Sequence, residues 1–190
     1  MNILFICTGN TCRSVIAEEL AKKYFSGHED IKIKSCGIAS SPDFSTPEIV
    51  RKLLKKENID FKNHISTPVT KKLVDESDII FVMDKNHLEY IGYNFSRAEK
   101  KTYLLKSYVK NDPDEINRGH PEHIRFAQCK LREGSPFLSD MNIDDPIGGP
   151  EEVYTKCFYE IKECIIKLVD KIDPPKAGHP DPNSGKGLVL

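Results

Sequence analysis

The 190-residue sequence predicts an α/β protein whose parallel sheet is covered by helices on both faces. Three observations carry this expectation. The chain opens on Asn2, Ile3, Leu4, Phe5 and Ile6, a short apolar run of the kind that strands buried on both faces show. A turn-rich break, a helical pattern and a second strand pattern follow, which together make a βαβ unit. Strand and helix signals then keep alternating along the chain.

After the first strand, Cys7 to Thr11 supply turn-type residues. Ile16, Ala17, Leu20, Ala21 and Tyr24 recur at helical spacing, with Glu18, Glu19, Lys22 and Lys23 on the other side. They predict a helix over 13–25 that stops near Gly27. Residues 31–34 alternate as a strand. Pro47 suits a helix start, and Ile49, Val50, Leu53 and Leu54 provide that helix with an apolar face. A shorter helix is expected over 71–76. Residues 78–83 are the strongest strand signal, His87, Leu88 and Ile91 suggest a helix after it, and 102–105 read as a fourth strand. Val153, Cys157, Ile161, Cys164, Ile165, Leu168 and Ile172 define a long final amphipathic helix. Cys157 and Cys164 share a face of it and read as core residues. The expected organisation is one domain over 1–172, with no internal repeat.

Two stretches break the alternation. Residues 106–144 show little periodicity and hold Asp112, Pro113, Gly119, Pro121, Gly134 and Pro136, so they read as a long insert, with a hint of a short helix over 121–132. Residues 173–190, with Pro174, Pro175, Pro180 and Pro182, read as a disordered tail.

Composition narrows the function classes. Lys plus Arg is 28 and Asp plus Glu is 29, a net charge of -1, which offers no electrostatic footprint for nucleic acid or an anionic membrane. No stretch approaches the roughly 20 apolar residues of a membrane helix, and the apolar run at 3–6 is too short for a secretory signal. The six cysteines are too scattered for a disulfide scaffold. The expectation is a reduced, cytoplasmic protein, most simply a monomer, in which one cysteine is chemical.

That cysteine is Cys7. In Cys7-Thr8-Gly9-Asn10-Thr11-Cys12-Arg13-Ser14 a cysteine ends the first strand and an arginine opens the first helix. A loop in this position points successive backbone N–H groups at one spot, and the helix start adds partial positive charge. Arg13 adds a planar fork that matches two phosphate oxygens. Such a field favours a thiolate, and a thiolate below a bound phosphoryl group is an in-line nucleophile. Gly9 and Asn10 tolerate left-handed backbone. The spacing of Cys7 and Arg13 is weak evidence by itself; its place at the first strand–helix turn makes it strong. A Walker loop is excluded, because its Gly-x4-Gly-Lys pattern is absent.

Residues 7–14 followed by Ala17-Glu18 resemble the low-molecular-weight protein tyrosine phosphatases. Ser35-Cys36-Gly37 resembles that family's S-A-G, Val82-Met83-Asp84 followed by Asn86 resembles its A-M-D-x-x-N, and Asp145-Pro146 resembles its acid loop. The resemblance implies a flavodoxin-like three-layer α/β/α fold with a four-stranded parallel sheet, and a protein phosphatase needing no metal and no cofactor, acting on phosphorylated proteins. Cys7 would form a cysteinyl-phosphate. Arg13 would bind the phosphoryl oxygens together with the loop residues Thr8, Gly9, Asn10, Thr11, Cys12 and Ser14. Ser14 would hydrogen-bond the Cys7 thiolate, Asn10 would hold the loop backbone, and Asp145 would be the general acid. Asp144 is the alternative acid. Cys12 reads either as a redox guard that forms a disulfide with oxidised Cys7 or as a small buried residue. His120, His123 and Cys129 complete no four-ligand metal set and read as solvated or structural.

Two features bear on substrate. The tyrosine-specific members carry aromatic residues after the acid loop, where this chain has Ile147-Gly148-Gly149. They also carry a larger aliphatic residue where this chain has Thr11, whereas the branch resembling bacterial protein-arginine phosphatases carries threonine. Thr11 and Ile147 are therefore the expected specificity residues, and the sequence leans to phosphoarginine over phosphotyrosine. Val15 departs from the family's proline at that position. A thioredoxin-linked arsenate reductase is the rival enzyme class, but residues 84–105 hold no cysteine to resolve its cycle. A non-catalytic phosphate-binding module would be expected to lack Cys7, Arg13 or Asp145, and all three are present.

Overall fold

Residues 1–61, 64–110 and 141–173 are described by the computed structural model. Four parallel strands, β1 (Asn2–Cys7), β2 (Lys32–Gly37), β3 (Ile79–Val82) and β4 (Thr102–Leu104), form one sheet in the order β2-β1-β3-β4. Six α-helices accompany them among the described residues: α1 (Arg13–Tyr24), α2 (Glu48–Lys56), α3 (Lys71–Glu76), α4 (Lys85–Asn94), α5 (Leu105–Lys110) and α6 (Glu151–Ile172). A 3-10 helix spans Ser96–Lys101.

The strand period of two divides the core into two layers. Ile3, Phe5 and Cys7 of β1 and Phe81 of β3 pack with Ile16, Ala17 and Leu20 of α1, Leu53 and Leu54 of α2, and Phe158, Ile161 and Ile165 of α6. Leu4 and Ile6 of β1, with Ile80 and Val82 of β3, face the other way, against Val74 of α3 and Leu88 and Ile91 of α4. Both faces of the central strands are thus dry, which explains why they read as unbroken apolar runs. Phe5 and Phe81 lie directly opposite in register, their rings stacked 5.7 Å apart. Each large apolar side chain buried this way contributes roughly 1.5–3 kcal/mol.

Turn and cap chemistry sets the element ends. Beyond α1 the backbone turns at Gly27, whose φ of 106° a side chain would oppose. Thr70 caps α3 by accepting from the Leu73 N–H at 3.2 Å, and Asp84 caps α4 by accepting from the His87 N–H at 3.1 Å. Pro47 stands at the N-cap of α2.

The differences from the sequence expectation lie where pairing overrides pattern. β2 runs to Gly37 rather than stopping at Lys34, because Ser35, Cys36 and Gly37 pair with Phe5, Ile6 and Cys7. Residues 105–110, read as the end of a strand and the start of the insert, form α5, whose Leu105, Ser107 and Val109 are buried. The rest of the insert to residue 140, including the possible helix over 121–132, and the tail from residue 174 lie outside the described residues.

The first strand lies inside the sheet, β2 to one side of it and β3 to the other, so the direction of winding reverses between β1 and β3. In open α/β sheets the crevice outside the strand ends at such a reversal is where ligands bind. Cys7 ends β1 at that point.

Candidate active site

Residues 7–14 wrap around one point at the end of β1. The Cys7 sulfur lies 3.0 Å from Ser14 Oγ and accepts from the Asn10 backbone N–H at 3.3 Å. Asn10 is the loop residue with left-handed backbone (φ 52°); Gly9, which the sequence also suggested for that role, does not have positive φ. An αL conformation costs a non-glycine residue of order 1 kcal/mol, and bonds on every side offset it. Asn10 Nδ2 donates to Ser14 Oγ at 3.1 Å and to Ser35 Oγ at 2.8 Å, while its Oδ1 accepts from the Thr67 N–H at 2.8 Å. Its backbone carbonyl accepts from Ser66 Oγ at 2.9 Å and lies 2.8 Å from His64 Nε2.

The Ser35-Cys36-Gly37 segment acquires a physical meaning here. Ser35 ties Asn10, and Gly37 lets the loop lie against β2. A Cβ at Gly37 would stand 2.5 Å from the Thr8 carbonyl oxygen and 2.8 Å from the Asn10 nitrogen, both backbone atoms.

Arg13 is 2% exposed and spends its fork on four acceptors. Nη1 donates to Asp84 Oδ2 at 2.8 Å and to the Ile143 carbonyl at 3.0 Å. Nη2 donates to Asp145 Oδ2 at 2.6 Å and to Thr8 Oγ1 at 3.3 Å. Burial works against the guanidinium charge, but Asp145, Cys7 and Asp84 outweigh it and raise the Arg13 pKa. Burial also works against the Asp84 carboxylate; His87 and Arg13 overcome it and hold Asp84 well below the usual carboxylate range.

Asp145 arrives from a distant part of the chain. The Ile143 N–H donates to the Met83 carbonyl at 2.8 Å, and the Lys85 N–H donates to Asn142 Oδ1 at 3.0 Å. Met141 and Ile143 are buried, and this anchorage at the end of β3 swings Asp145 over the loop. The Ile147 N–H bonds Asp145 Oδ1 at 3.2 Å. Of the two candidate acids, Asp145 lines the cavity above Cys7 and Asp144 does not.

That cavity has a volume of about 420 Å³; Cys7, Thr8, Gly9, Thr11, Cys12 and Arg13 form its floor. Ile147 and Asp145 form one part of its wall, and Asp43 and Phe44, from the loop after β2, form a second. Sequence reasoning missed that second wall. The aromatic ring absent after Asp145-Pro146 is supplied by Phe44, whose loop carries no periodic signal.

The remaining cysteines divide by layer. Cys12 is buried beside Cys157 of α6; their hydrogen bond, burial and the charge of Cys7 all raise the Cys12 thiol. Cys164 is pushed up to about 12, chiefly by burial. Cys36 lies in the opposite core layer, and burial raises it too. Cys129, His120 and His123 lie outside the described residues.

Sequence reasoning also passed over His87, His64 and Ser66, which touch the loop or the side chains that brace it. In the sequence His87 reads only as one helix residue. Asn86, the residue quoted in the motif, is exposed, and His87 takes the buried place.

Comparison with known proteins places this geometry. The family model described as low molecular weight phosphotyrosine protein phosphatase matches residues 2–121. A protein-arginine-phosphatase of Bacillus subtilis is 29% identical over 174 residues, covering 90% of this chain and 97% of its own. The low molecular weight protein-tyrosine-phosphatase PtpB of Staphylococcus aureus is 27% identical over 175 residues, covering 90% and 99%. Among solved structures, a mutant of the YwlE arginine phosphatase with a phosphorylated active-site serine superposes with TM-score 0.71 at 26% identity, covering 93% of this chain and 98% of that one. The arginine phosphatase YwlE of Geobacillus stearothermophilus gives 0.69 at 27%, covering 90% and 92%.

Proposed function

The chain belongs to the low molecular weight phosphotyrosine protein phosphatase family, and from that premise we propose that it hydrolyses phosphoarginine in proteins, with Cys7 as nucleophile, Arg13 as phosphoryl clamp and Asp145 as acid and base. The observation that carries the reading is the convergence on one cavity of the Cys7 thiol, the Arg13 fork and the Asp145 carboxylate.

The chemistry follows in two displacements. Cys7 Sγ attacks phosphorus in line, and the bond from phosphorus to the leaving nitrogen breaks as Asp145 delivers a proton to that nitrogen. Arg13 and the loop N–H groups meet the charge that builds on the equatorial oxygens. Asp145, now a carboxylate, takes a proton from water. The water oxygen bonds to phosphorus, the S–P bond breaks, and phosphate leaves with the Cys7 thiolate restored. A phosphoryl group that takes over the Arg13 Nη2 now donating to Asp145 would free Asp145 for proton transfer.

Thr11, Ile147 and Asp43 support phosphoarginine. A guanidinium is planar and cationic, so a rim with a hydroxyl and a carboxylate suits it. The names of relatives such as that from Bacillus subtilis support the same reading. Phe44 favours a second reading, phosphotyrosine, because its half-exposed ring can stack on a phenol. Cys12, which lines the same cavity as Cys7, is proposed as the partner that traps oxidised Cys7 in a reversible disulfide. No helix among the described residues is long and apolar enough to cross a membrane; a monomer in the cytoplasm is the proposed working form.

Side-by-side hydrolysis of matched phosphoarginine and phosphotyrosine peptides tests the substrate, with Cys7→Ser as the inactive control. The expected result is a higher kcat/KM on phosphoarginine and no turnover of either by Cys7→Ser. Preference for phosphotyrosine would install the second reading, and an active Cys7→Ser protein would remove Cys7 as nucleophile.

A further inference from the structure

We propose that His87 is a positioning residue of the phosphate loop: with Asp84 it holds the Arg13 guanidinium and the Thr8 hydroxyl in the orientation a phosphoryl group meets. The inference rests on residues 7–14 being the phosphate cradle.

Four side chains close a ring. His87 Nε2 is 2.9 Å from Thr8 Oγ1, and its Nδ1 is 3.0 Å from Asp84 Oδ1, off the line of an ideal hydrogen bond. Asp84 Oδ2 accepts from Arg13 Nη1, and Arg13 Nη2 donates back to Thr8 Oγ1. With the imidazole proton on Nδ1, each donor in the ring faces an acceptor. Thr8 donates to Nε2, Nδ1–H faces Asp84, and Arg13 donates to both Asp84 and Thr8. A hydroxyl whose hydrogen is committed to His87 keeps its lone pairs for Arg13.

The ring also divides the guanidinium by task. Thr8 and Asp145, the side chains that Nη2 holds, line the cavity, whereas Asp84 and Ile143, which Nη1 holds, do not. Nη1 is therefore the anchor and Nη2 the hand offered to substrate. His87 is 1% exposed and stands behind that anchor, with no part in the cavity lining. Its ring bonds a loop side chain that its own helix does not need, so its role extends beyond filling the core.

The test compares His87→Leu, His87→Gln and His87→Asn in the full chain by aryl phosphate kinetics, by inorganic phosphate affinity from calorimetry, and by thermal midpoint. In His87→Leu, kcat/KM should fall about 10- to 100-fold and phosphate affinity about tenfold. Gln places an amide near the Nε2 position and should restore most of both; Asn, which reaches only near Nδ1, should not. On a Thr8→Val background His87→Leu should cost clearly less than in wild type, because the Thr8 contact is already gone and only the route through Asp84 remains. The proposal is overturned if folded His87→Leu stays within about twofold of wild type in both readouts, or if its cost is undiminished on the Thr8→Val background. It is equally overturned if Gln, folded, rescues no better than Asn. A wild type that binds phosphate but hydrolyses no aryl phosphate would sink the phosphatase reading instead, and His87 would then stand or fall on phosphate affinity.

Discussion

Arg13 Nη2 and Asp145 Oδ2 are 2.6 Å apart, although 132 positions separate the two residues. The pair joins the proposed clamp to the proposed acid, and on that proposal a phosphate would compete with Asp145 for the same guanidinium edge. Asp145→Asn is expected to lower kcat by about 10²- to 10³-fold through loss of proton transfer, while inorganic phosphate binds no more weakly than in wild type. Steady-state kinetics and calorimetry check the two halves. Weaker phosphate binding would mean that Asp145 supports the cradle rather than competing with it.

Gly37→Ala is expected to destabilise the fold by about 1–3 kcal/mol and to lower phosphate affinity together with stability. The added carbon meets the Thr8 carbonyl and the Asn10 nitrogen, neither of which is a flexible chain end. Thermal unfolding with and without phosphate measures both effects. Unaltered stability would show that the loop can retreat from β2 without loss.

Ile147→Phe should add a second ring to the cavity that Phe44 lines. The ratio of phosphotyrosine to phosphoarginine kcat/KM is expected to rise about tenfold, the scale on which one pocket side chain discriminates. Peptide kinetics on both substrates decide it, and a ratio within about twofold of wild type would mean that Ile147 does not line the substrate path.

Asp84 supplies a pH signature. Its folded-state pKa is depressed, so its contribution to stability is fully present above the unfolded value of about 3.9 and is lost as pH falls through the folded value. The stability gap between wild type and Asp84→Asn should therefore shrink as pH falls below about pH 4. Thermal midpoints measured from pH 7 to pH 3 follow it. A gap that widens below about pH 4 would contradict the assigned direction.

Much of the scaffold was legible because its signals are local. Residues 3–6 and 79–82 are apolar throughout since each strand is buried on both faces, and the period of α6 follows from packing one face on the core. The extension of β2 to Gly37 was not legible, because there strand pairing and the bracing of Asn10, rather than apolar alternation, hold the chain. Phe44 and His87 were missed for a related reason: a loop aromatic and a single helical histidine look ordinary until the fold sets them beside Cys7 and Thr8.

The sequence by itself determined the α/β class, the strand–loop–helix turn at residues 7–14 and the meeting of Cys7 with Arg13 at one cavity, because each depends on residues close together along the chain. Tertiary structure alone decided which of two adjacent aspartates lines the cavity with Cys7, which residues wall it, and how Arg13 divides its fork. Those outcomes depend on where the Met141–Ile143 segment docks at the end of β3 and on what the reversal between β1 and β3 brings together. Contacts between residues 71 and 132 positions apart leave no periodic trace in the sequence.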